Sequence, residues 1–119
     1  MPALGLKINS YQVKLGPKMV YGTQNTSFLA YAHIRCFCEQ NHAFDIFFLL
    51  PNSPVPAAYY LPPAGSASGN AAIFLPQDQY KSYIDLLRHE KPVSAYIWTE
   101  RPDTCHIYTG NEPVGEGEI

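Results

Sequence analysis

The chain has 119 residues, 46% of them hydrophobic, and a formal net charge of −2 at neutral pH. That is material for one domain with one core, residues 1–119, and it gives no global attraction to nucleic acid or to an acidic membrane. Nine tyrosines, six phenylalanines, eight glycines and eleven prolines against 15% charged residues favour strands joined by many turns over a helical bundle, so the expected class is α+β with strands dominant.

No segment approaches the roughly 18 apolar residues of a membrane span. The start, Met-Pro-Ala-Leu-Gly-Leu-Lys, lacks the basic opening and apolar run of a secretory signal. Three cysteines, an odd number, form no closed disulfide framework, and together these features lead us to expect a cytoplasmic protein. Asn25-Thr26-Ser27 fits a glycosylation sequon, which without a signal peptide reads as chance.

From Leu6 to Leu15 apolar residues alternate and change phase near Asn9-Ser10, which predicts a strand with a bulge there. Gly16-Pro17 and Gly22-Thr23-Gln24-Asn25 read as turns around a short extended piece, Met19-Val20-Tyr21. Ser27 to Cys38 is the clearest strand, with Phe28, Ala30, Ala32, Ile34, Cys36 and Cys38 expected on the core face and Leu29, Tyr31, His33, Arg35 and Phe37 on the other. A polar loop, Glu39-Gln40-Asn41-His42, joins it to Ala43 to Leu50, making a hairpin. That second arm is apolar nearly throughout, which predicts burial on both faces, by a central position or by a subunit contact.

Residues 51–69 form the longest irregular stretch; Ala57 to Leu61 is expected as a brief edge strand between prolines, and Ala71 to Leu75 as a strand feeding a helix. The spacing predicts that helix over 76–90: Tyr80, Tyr83, Ile84 and Leu87 recur at helical period, with Leu86 widening the stripe. Pro76 suits its first turn and Pro92 ends it. Val93 to Thr99 and Cys105 to Thr109 then read as a second hairpin around Arg101-Pro102-Asp103-Thr104, with Val93, Ala95, Ile97, Cys105 and Ile107 facing the core. Residues 110–119, with three unopposed glutamates, read as a flexible acidic tail.

The order of three strands, a loop with one or two more, a helix and two strands matches the connectivity of an OB-fold barrel. A strongly twisted antiparallel sheet with the helix across one face accounts for the same pattern.

No motif carries a chemistry. Cys36, Cys38, His42, Cys105 and His106 have the wrong spacing for structural zinc, and the cysteines read as buried packing, so neither a metal nor a cofactor is expected. A cysteine assisted by His33 or His106, with Asp45 or Asp103 behind it, rests on residue availability alone. The odd offset between His33 and Cys36 puts them on opposite faces. The better candidate is the other side of the last hairpin, where Tyr96, Trp98, His106 and Tyr108 should stand together as ligand-binding residues or as a contact surface. The expected function is a non-catalytic, self-associating interaction domain. A small-molecule or oligosaccharide binder is the second reading, and nucleic acid is disfavoured because cations are few.

Overall fold

The structure is a computed structural model that describes residues 3–22 and 26–110. Seven strands form one curled, mixed sheet, a half-barrel: β1 (Ala3–Gly22), β2 (Ser27–Cys38), β3 (His42–Leu49), β4 (Tyr59–Leu61), β5 (Gly69–Pro76), β6 (Val93–Trp98) and β7 (His106–Thr109). Their spatial order is β4-β5-β3-β2-β1-β6-β7, and among the described residues there is one α-helix, α1 (Tyr80–His89), between β5 and β6. All neighbouring strands run antiparallel except β3 and β5, which are parallel.

The expected bulge is present: β1 slips register against β2 between Ile8 and Ser10. Gly16-Pro17, in contrast, is no turn. β1 continues to Gly22, and the extra residues are absorbed as an irregularity between Leu15 and Met19. The turn expected at residues 22–25 and the tail at 110–119 fall largely outside the described residues.

A second correction concerns β2. Its register against β3 shifts between Ala30 and Ala32, so Tyr31 is the extra residue of a bulge. Phe28 and Ala30 therefore leave the face of Ala32, Ile34, Cys36 and Cys38 and pack with Phe47, Leu49 and Ala72 on the outer side. β3 is buried along its whole length because it is central, which accounts for its unbroken apolar run without a subunit contact.

The main core fills the inner face, where residues of β1, β2, β3, β5 and β6 meet the helix through Ile84 and Leu87. A 3-10 turn, Gln77–Gln79, opens the helix after extended Pro76, and Tyr80, Tyr83 and Leu86 pack half-buried at its sides, as the periodicity predicts. β1 pairs with β6 through Ala3–Lys7, as the barrel reading requires. Closure fails because β5 occupies the outer edge of β3, leaving β7 as an edge strand with no further neighbour among the described residues.

Candidate functional site

On the outer face of the β6–β7 hairpin, alternation brings three of the four predicted residues, Tyr96, His106 and Tyr108, together, and among the described residues no ring contact joins Trp98 to them. Tyr96 pairs with His106, and Ser94 with Tyr108. The Tyr96 and His106 rings stack with centroids 4.9 Å apart, and Tyr108 lies 6.2 Å from His106. The neighbouring strand contributes Gly5 opposite Tyr96. A Cβ at Gly5 would stand 2.9 Å from the Tyr108 hydroxyl, so only glycine lets that side chain lie across the sheet. His106 is held by its Nδ1–H, which donates to the Thr104 carbonyl at 2.8 Å. This fixes the tautomer and leaves Nε2 as an acceptor without a partner among the described residues. His106 and Tyr108 are exposed, the latter by 40%, while Tyr96 and Trp98 are half-buried. Trp98, opposite Ala3, buries its indole N–H with no acceptor among the described residues.

A second constellation, which the sequence reading did not assemble, lies on the outer face of the sheet's other half. Asp45 on β3 is 3% exposed. It accepts from His33 Nε2 at 2.8 Å, from Arg35 Nη1 at 2.7 Å and from Asn70 Nδ2 at 2.8 Å. An ionised carboxylate only accepts, so His33 Nε2–H is the donor to Asp45, and the other ring nitrogen, Nδ1, lies in hydrogen-bond range of the Tyr21 hydroxyl at 3.3 Å. Phe47 stacks on the His33 ring at 4.2 Å. Burial alone would raise the Asp45 pKa; the bonds from His33 and Asn70 and the charges of Arg35 and His33 outweigh it and hold the carboxyl below its usual range. Burial, with Asp45 beside it, pushes the Tyr21 hydroxyl up, so that phenol stays neutral and is no activated nucleophile.

His33 and Asp45 do meet, as a His–Asp pair requires, but the cysteines stand on the inner face, buried and free. Burial pushes the Cys36 thiol up strongly and Cys38 to about 11, which leaves both protonated. Among the described residues no cluster of three or more histidine, cysteine or acidic side chains is placed to hold a metal, and no helix is long and apolar enough to cross a membrane.

The fold and these two surfaces define a strand-dominated α+β half-barrel with an aromatic outer strip at one end. No protein-family model, no curated protein and no solved structure matches the chain.

Proposed function

We propose that this protein is a non-catalytic, cytoplasmic interaction domain that self-associates through the free edge of β7 and the aromatic strip beside it. The observation that carries this reading is how differently the open edges are protected. An exposed strand edge templates pairing with another chain unless lysine, proline or irregularity blocks it. β4 is three residues long, with Pro56 before it and Pro62-Pro63 after it. β1 pairs with β6 only through Lys7, and the remainder of that edge carries Lys14, Pro17 and Lys18. β7, His106-Ile107-Tyr108-Thr109, has neither lysine nor proline.

Antiparallel pairing of β7 with a second copy about a two-fold axis at Ile107 sets His106 of each chain opposite Tyr108 of the other, an aromatic cross-strand pair. So short an edge makes a small interface, and the association belongs in the weak, transient class. Three buried free thiols suit a reducing compartment.

The test is light-scattering chromatography of the unmodified chain beside an H106K/Y108K variant. The reading expects mass to rise with concentration for the first and a monomer throughout for the second; identical behaviour of the two refutes it. A small molecule or oligosaccharide stacking on the same strip is the second reading, favoured by the unpartnered Nε2 of His106 beside the stacked Tyr96 ring.

A further inference from the structure

The outer face of the other half of the sheet holds an ordered row. Gln12 pairs with Arg35, Arg35 with Asp45, Asp45 with Ala72 and Ala72 with Tyr59, so one line crosses β1, β2, β3, β5 and β4. Paired residues share a face, and Lys14, opposite His33, joins the same surface one step along β1. Diagonal positions on adjacent strands are about 7–8 Å apart, within reach of two long side chains turned toward a common point. Lys14 and Arg35 stand in that relation.

Their charges are unequally matched. Asp45, the next residue of the row, accepts from Nη1 of the Arg35 guanidinium, and the arginine side chain remains 36% exposed. The guanidinium also lies over Phe37, 5.8 Å from the ring centre. It is thus clamped from two directions, while Nε and Nη2 have no partner among the described residues. Lys14 has no ion pair among them either. Among the described residues, Asp45 is the one carboxylate within this row of paired positions, so in the row itself two permanent cations answer to one anion before His33 is considered.

We propose that Arg35 and Lys14 form a binding site for a small oxyanion group, a phosphate or a carboxylate carried on a ligand, with Asp45 as the buried counter-charge that fixes the guanidinium and Gln12 as a neighbouring donor. A pinned guanidinium meets an oxyanion with a planar pair of N–H groups and little loss of freedom, and a lysine beside it adds a mobile point charge. This surface is separate from the β7 edge, and either can fail without the other.

The experiment is a nitrogen–proton correlation titration of the full chain with inorganic phosphate and, separately, with citrate, at low ionic strength, with chloride as control. We expect saturable shifts centred on Gln12, Lys14 and Arg35. Saturation by phosphate alone identifies a phosphate site, and saturation by citrate alone a carboxylate site. Lys14→Gln, at an exposed position, should keep the fold and weaken binding by about five-fold, and Arg35→Gln should weaken it further. Shifts that spread over the surface without saturating, that chloride reproduces, or that survive Lys14→Gln unchanged overturn the proposal.

Discussion

Replacing Asp45 by asparagine removes a charge while keeping nearly the same shape, so it isolates what the ionised carboxylate contributes. Three donors converge on it, from His33, Arg35 and Asn70, and the group is almost fully enclosed. A hydrogen bond to an ionised group exceeds a neutral one by about 1 kcal/mol, and the Arg35 share is discounted because that side chain reaches water; the substitution should cost about 2–4 kcal/mol. A domain of this length has roughly 6–15 kcal/mol in hand, so the variant folds, with a midpoint lower by roughly 10 °C.

The pH dependence sharpens the test. The Asp45 pKa is depressed in the folded chain, so its stabilisation is complete above the unfolded value of about 3.9 and is lost as pH falls through the folded one. In urea titrations the gap between the two proteins should narrow as pH falls below about 4. A variant as stable as the parent at neutral pH, or a gap that does not narrow in acid, refutes the reasoning.

Gly69→Ala should destabilise by about 1–3 kcal/mol in the same assay, since its Cβ would lie 2.7 Å from the His42 ring. That ring cannot swing away, because its Nδ1–H donates to the Gln40 carbonyl and its Nε2 accepts from Tyr60, both at 2.8 Å. Gly5→Ala should leave global stability within about 1 kcal/mol, because the atom it strikes is the far end of a flexible side chain, but should displace Tyr108, read as a shift of its ring resonances. The three thiols should resist a disulfide reagent in the native chain at mildly alkaline pH and all react after denaturation; fast native labelling of Cys36 would contradict its burial.

The sequence made the strands, the helix and the aromatic strip legible because each rests on a local period. The phase change at Asn9-Ser10 announced its bulge, since polar residues interrupt the alternation. The bulge at Tyr31 was silent: alanines on either side fit a buried inner or outer position, so the pattern runs on unbroken while the chain changes face. The parallel pairing of β3 with β5 left no local trace either, because which strand fills an edge is decided by long-range packing. Yet one signal for the polar cluster was present. A lone aspartate inside the otherwise apolar run Ala43 to Leu50 demands partners, and His33 and Arg35, two residues apart on one face of the adjoining strand, are the groups able to supply them.

Backbone amide exchange of β7, followed as protein concentration rises from micromolar to millimolar, tests the self-association reading most directly. The account predicts that His106–Thr109 become protected with concentration while Tyr59–Leu61 and the lysine-bearing edge of β1 do not. Protection at β7 that is independent of concentration, or that rises at another edge instead, would contradict it.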